Sequence, residues 1–285
     1  MKTNRLSLGI FCIFAFAPVW VCCAVMLLFG TPSDIWIILI YTGFMFMPAL
    51  ASILTRVIRE EGFENMHIKP HFRGNMACYV ISYLLPVVLT VAGVVVFFLI
   101  YPGLFDSSLT LYREQGVSNE SMLGMVLLIA PGVIAGPLVN LIPAFGEELG
   151  WRGYLLPKLK TCMSARVATV VSGVIWGIWH APMIALGHNY GLNYFGYPWM
   201  GILLMTVFCV FFGAFLSWLT LRTDSAIPAA LAHGGINAVG GLGLLFTHPE
   251  YNPLLGPAPV GIIAGIPVIA AGVLFFIFLN KPVRS

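Results

Sequence analysis

"ACYVISYLLPVVLTVAGVVVFFLIY", residues 77–101, carries no charged side chain from end to end. A helix over this stretch is about 37 Å long at 1.5 Å per residue, enough to cross the roughly 30 Å hydrocarbon core of a bilayer. Seven further stretches read the same way: 7–29, 35–55, 122–145, 167–186, 197–221, 227–247 and 259–279. Of the 285 residues, 59% are hydrophobic and only 9% charged. The mean hydropathy of +0.94 fits that picture, since soluble domains are only about half apolar. The sequence therefore predicts an all-α, polytopic membrane helical bundle of about eight transmembrane helices, with 1–285 forming a single transmembrane domain. The first stretch follows Met-Lys-Thr-Asn-Arg, but it outruns the apolar core of a secretory signal and shows no small-x-small cleavage site. It is expected to be a retained helix.

Basic residues give an independent check on the spans, because they collect in cytoplasmic loops. Lys2 and Arg5 precede the first span; Arg56, Arg59, Lys69 and Arg73 lie between the second and third. Lys158, Lys160 and Arg166 precede the fifth, Arg222 follows the sixth, and Lys281 and Arg284 close the chain. Only Arg113 falls in a predicted outer loop. Both termini are thus expected in the cytoplasm, with the cell membrane as the location. The net charge of +3 needs no nucleic acid to explain it. Six cysteines, at 12, 22, 23, 78, 162 and 209, show no C-x-x-C spacing, so neither a disulfide framework nor a cysteine zinc site is supported.

Within the spans, Gly132-x-x-x-Gly136, Gly146-x-x-x-Gly150 and Gly173-x-x-x-Gly177 would let helix backbones approach closely. Pro131, Pro137 and Pro143 interrupt the fourth span, since proline removes a backbone donor and kinks a helix. A main helix running from near Pro131 to Lys158 would cover about 40 Å and carry Glu147 well inside the bilayer.

An ionisable side chain at that depth is costly and marks a functional site by default. The polar groups that qualify are Glu147, Glu148 and Arg152 around the fourth span, His180 in the fifth, and His233 and Asn237 in the seventh. Helical geometry sorts them, because residues four apart share a face and adjacent residues point about 100° apart. Glu148 and Arg152 can pair, which leaves Glu147 without a local counter-charge. His233 and Asn237 share one face, and Trp176 stacks one turn before His180 as a pocket wall. His67, His71, His188 and His248 fall in loops and are expected to be solvated; Tyr190, Tyr194, Tyr197 and Trp199 read as an interfacial aromatic belt.

A carboxylate with an imidazole can activate water as a general base. A second imidazole and an amide can donate to a developing oxyanion. The same Glu147, His180 and His233 would also satisfy a divalent metal such as zinc, which takes three protein ligands and keeps one position open. Other signatures are absent: there is no H-E-x-x-H and no G-x-S-x-G, and aspartate occurs only at 34, 106 and 224, none deep in a span. Two rival classes use the same pocket. One is a transporter or channel with a proton or cation path, and the other is a non-catalytic immunity or scaffold protein. Hydrolysis is preferred because a proton path has no need of a His-x-x-x-Asn pair.

"EELGWRG" at 147–153, "WGIWH" at 176–180 and "HGGIN" at 233–237 resemble the three motifs of the CAAX-protease and bacteriocin-processing family of intramembrane proteases, written E-E-x-x-x-R, F-x-x-x-H and H-x-x-x-[ND]. The resemblance covers residues 145–240. It implies that Glu147 and His180 activate water or hold a metal, that His233 and Asn237 bind the oxyanion, and that Arg152 supports Glu147 and Glu148. It also implies a peptide or protein substrate, prenylated at its end for eukaryotic members, and the apolar spans around a cytoplasm-facing pocket would suit a lipidated or hydrophobic peptide end met in the lipid bilayer. Trp176 stands where the second motif usually has Phe, and Trp151 stands at another position often filled by Phe; both keep an aromatic ring.

Overall fold

The computed structural model describes residues 2–110 and 122–279. Among these residues the chain is helical and contains no β-strand; an isolated bridge joins Phe105 to Thr247. In chain order the helices are α1 Lys2–Phe29, α2 Asp34–Phe44, α3 Met47–Ile58, α4 Met76–Ile100 and α5 Met122–Gly150. They continue with α6 Leu156–Lys160, α7 Ala165–Trp179, α8 Ala181–Ile184, α9 Trp199–Thr223, α10 Ile227–Val239 and α11 Ile266–Phe278. Arg113, Lys281 and Arg284 lie outside the described residues.

Among the described residues, seven helical stretches are long and apolar enough to cross a membrane, and they match the first seven expected spans. The eighth, expected over 259–279, takes a different form. Turns occupy the chain up to Gly265, and only the 13 residues of α11 are helical. Pro253, Pro257 and Pro259 alternate there with Gly256 and Gly261, so donors are missing where a helix would need them. The three prolines of the fourth span do not break α5, which runs unbroken through all of them to Gly150. It then passes through a π-helical turn, Trp151–Leu155, into α6.

The centre of the bundle is built from α5, α7, α9 and α10. The closest partners are α10 with α5, α7 with α9, and then α9 with α11 and α10 with α4. Small residues make these approaches possible. A Cβ on Gly234 would lie 2.8 Å from the Asn140 carbonyl carbon of α5, and one on Gly235 would lie 3.2 Å from Pro86 of α4. Of the three expected glycine pairs, Gly173 and Gly177 pack against Val210 and Thr206 of α9, and Gly146 and Gly150 against Met45 and Pro48. In the remaining pair Gly136 meets Ala238, but Gly132 faces open space. The outward faces keep their apolar residues exposed, among them Leu28, Phe29, Leu99 and Val139, as helices set in lipid require.

A polar clamp beyond the span ends fixes the π turn. Glu61 accepts from Ser7 Oγ at 2.7 Å and Tyr154 OH at 3.0 Å, and pairs with Lys158 Nζ at 2.9 Å. Burial works against the Glu61 charge. The bonds from Lys158, Ser7 and Tyr154 outweigh it and hold the carboxyl below its usual range. Arg56 donates to the carbonyls of Gly62 at 3.1 Å, Asn65 at 2.8 Å and Gly153 at 3.4 Å. The turn that carries Trp151 and Arg152 is therefore held from outside the site.

Two alanine substitutions separate close packing from helix propensity. Alanine improves an exposed helix position by up to about 1 kcal/mol over glycine, whereas overpacking costs about 1–3 kcal/mol. Gly177→Ala, whose Cβ would sit 2.5 Å from Thr206 Cα, should lower the melting temperature in detergent. Gly132→Ala should hold or raise it.

Candidate active site

Three elements bring the polar residues together. Glu147 and Glu148 end α5, His180 caps the C-terminus of α7, and His233 lies in the middle of α10 with Asn237 one turn later. Glu147, His180, His233 and Asn237 all line one cavity of about 720 Å³. Glu148 and Arg152 are fully buried behind it.

Glu148 and Arg152 pair as the spacing predicts, with Arg152 Nη1 to Glu148 Oε1 at 3.0 Å. The same oxygen accepts from His233 Nδ1 at 2.9 Å. That bond ties α5 to α10 and leaves Nε2 as the His233 nitrogen available to the cavity. His180 is set the same way by a different partner. Its Nδ1 lies 2.9 Å from the Trp176 carbonyl, which can only accept, so Nδ1 carries the proton and the Nε2 lone pair is free.

Glu147 has no counter-charge, as expected, but it does have partners. Trp176 Nε1 donates to its Oε2 at 2.8 Å and Trp151 Nε1 to the same oxygen at 3.2 Å. Trp176 is the hub of the site. Its ring centroid lies 5.2 Å from that of His233 and 5.9 Å from that of His180, and the Arg152 guanidinium sits 4.6 Å over its face. Trp179 packs edge-on to His180 and donates its own N–H to the Ala15 carbonyl of α1.

The donor set written for zinc is not assembled. Among the described residues, no three His, Cys, Asp or Glu side chains are placed to hold a metal ion. Oε2 of Glu147 is engaged by the two indoles. The residues present therefore do not fit a metal.

Sequence reasoning missed several groups. Trp151 lies four residues after Glu147, and that helical spacing, with the need of a buried indole N–H for an acceptor, was the available signal. Nothing local marked Trp176 as a donor to a residue on another helix. Asn140, two turns before Glu147 on α5, lines the cavity with its amide turned back to the Gly136 carbonyl at 3.0 Å. His188 is not a solvated loop residue. It lines the cavity, packs edge-on to Tyr41 at 5.2 Å, and burial pushes it down to about 4. His67 is paired with Asp224 at 2.9 Å. Tyr190, expected in an interfacial belt, is buried, with its hydroxyl on the Val260 carbonyl.

Residues 123–239 match the sequence model of the family described as "Type II CAAX prenyl endopeptidase Rce1-like". The chain is 30% identical over 93 residues to "CAAX prenyl protease 2" of Methanococcus maripaludis, an overlap of 32% of this chain and 34% of that protein. It is 25% identical over 148 residues to "CAAX prenyl protease 2" of Homo sapiens, covering 49% of this chain and 45% of the relative. The chain thus spans between a third and a half of the curated relatives it matches.

Removing one member of a buried ion pair strands the other charge, at about 3–5 kcal/mol, whereas the guanidinium's attraction to an aromatic face is worth about 0.5–2 kcal/mol. Arg152→Met should therefore lower stability mainly through Glu148. The double variant Glu148→Gln/Arg152→Met should melt above the single one, because a glutamine there still accepts from His233 without a charge to strand.

Proposed function

We propose, from the match of residues 123–239 to the Rce1-like family model and the likeness to two CAAX prenyl proteases, that the chain is an intramembrane endopeptidase of that family acting by water activation at Glu147. The observation that carries this reading is the convergence of Glu147, His180, His233 and Asn237 from three elements on one cavity. The Glu147 carboxylate takes a proton from water as the water oxygen bonds to the substrate carbonyl carbon. His180, through its free Nε2, accepts from that water and orients it. The oxyanion that forms is met by the Asn237 amide and by the His233 ring, which its Nδ1 bond to Glu148 holds in place. Collapse breaks the C–N bond, and the proton held by Glu147 passes to the leaving amine. A carboxylate and an amine result.

In this reading Glu148 and Arg152 act at one remove, Glu148 by orienting His233 and Arg152 by neutralising Glu148. The catalytic machinery lies within 145–240 of a single transmembrane domain, in the cell membrane with both termini cytoplasmic. The substrate we assign is a peptide whose lipidated or strongly apolar end enters from the bilayer. The cavity lining combines apolar side chains, among them Ile37, Met45, Met183, Met205 and Phe208, with the polar set.

Two measurements on purified, lipid-reconstituted protein test this. Glu147→Gln should lower peptide cleavage by at least about 100-fold, the typical contribution of a general base, while the protein still folds and binds peptide; retained cleavage would remove Glu147 from the mechanism. A farnesylated peptide should be cleaved faster than its unmodified counterpart, and equal rates would dispose of the lipid preference.

A further inference from the structure

The buried Glu147 carboxylate poses a problem that the reaction above does not address. It must stay charged enough to act as a base, and it must face the cavity in one orientation, yet no cation touches it. Both of its hydrogen bonds end on one oxygen: Trp176 Nε1 and Trp151 Nε1 donate to Oε2 at 2.8 and 3.2 Å. Among the described residues Oε1 accepts from no protein group, and Glu147 is part of the cavity wall. The two indoles are themselves immobile. Trp151 is fully buried, edge-on to Phe11 at 5.7 Å and to Trp179 at 5.9 Å. Trp176 is held between the Arg152 guanidinium and the two histidine rings.

We propose that Trp176 and Trp151 are positioning residues for Glu147: their paired N–H groups fix Oε2 and present Oε1 to the cavity as the oxygen that takes the proton from water. Neutral donors suit this task better than a cation. A guanidinium or ammonium on Glu147 would neutralise the base that the reaction needs, whereas an indole N–H donates without changing the net charge. The chain does use a cation one residue on, at Glu148, which takes no proton from water. The two adjacent carboxylates are thereby given different roles by different partners. The indoles also fill the pocket wall, so the proposal separates their N–H groups from their ring volume.

The proposal rests on the hydrolase reading, and its test is chosen to fail separately. In the full chain reconstituted in lipid, Trp176 is replaced by 3-benzothienylalanine, which keeps the shape of the indole and puts sulfur where the N–H was; Trp176→Phe is made alongside. The isostere should lower kcat about ten- to a hundredfold, the worth of a hydrogen bond to a charged group. KM should stay within about twofold, since that bond is not made to substrate. The same replacement at Trp151, whose bond is longer, should lower kcat less. If the isostere at 176 cleaves at the wild-type rate, the N–H has no positioning role and the proposal is overturned. A readout independent of activity is the ultraviolet resonance Raman band of the indole N–H. The Trp176 contribution, isolated as wild type minus Trp176→Phe, should shift in Glu147→Leu, where the acceptor is gone, and no shift overturns the proposal whatever the cleavage data show. A wild-type protein that cleaves no peptide yet shows the shift sinks the hydrolase reading, and the proposed role in catalysis with it, while leaving the indole–carboxylate contact standing.

Discussion

Two adjacent carboxylates cannot sit inside a bundle that crosses a bilayer unless the protein supplies what water would have supplied. An unpaired buried charge costs far more than any single contact returns, so the surroundings of Glu147 and Glu148 constrain everything near them. Glu148 is met by charge, through Arg152 one turn later and His233 from α10. Glu147 is met by dipoles, through Trp151 one turn later and Trp176 from α7. Each carboxylate thus has one partner on its own helical stretch and one from another helix. The i,i+4 spacing of both local pairs follows from helical geometry, and the long-range partners tie α7 and α10 to the end of α5.

Those long-range bonds need the helix axes to come close, and small residues decide whether they can. Gly234 sits directly after His233 and lets α10 lie against the α5 backbone at Asn140, where a Cβ would collide. Gly177, directly after Trp176, does the same for α7 against Thr206 of α9. The "HGG" and "WG" pairs therefore combine a functional side chain with the space that brings its helix into range. In lipid, where apolar side chains gain little by leaving their surroundings, such close backbone packing is a main source of helix association. The site and the packing are specified by neighbouring letters of the same motifs.

Much of this was legible beforehand. The helical class, the first seven spans, the Glu148–Arg152 pair and the presence of Glu147, His180, His233 and Asn237 at one cavity follow from hydropathy, from the 3.6-residue period and from the rarity of polar groups in spans. What was not legible has common physical causes. The eighth expected span is helical only over Ile266–Phe278 because the prolines and glycines of 253–265 govern backbone donors and turns, which a hydropathy window does not see. The π turn at Trp151–Leu155 depends on a clamp from Arg56 and Glu61, distant in sequence, and shifts the helical phase by a residue relative to any regular pattern. His188 looked like a loop histidine because burial of a loop is decided by what folds over it, here Tyr41 from α2. The tryptophans were read by their rings alone, and their N–H groups carried the information that mattered.

Hydrolysis within a membrane protein asks one cavity to hold water beside an apolar substrate. Its lining meets that demand by carrying both kinds of group. Asn140, Glu147, His180, His233 and Asn237 face it from α5, α7 and α10, while Ile37, Tyr41 and Met45 face it from α2 and the turn that follows. Water ordered along the polar side would be held by fixed groups, since His233 and His180 each have one ring nitrogen committed to the protein and the other left over. The same division bears on the transporter alternative. A cation path gains from acidic oxygens turned toward the ion along its length, yet here Glu148 is withdrawn behind the wall, and one oxygen of Glu147 is taken up by two indoles. Among the described residues the other Glu147 oxygen has no protein partner, and a single oxygen is what a general base requires.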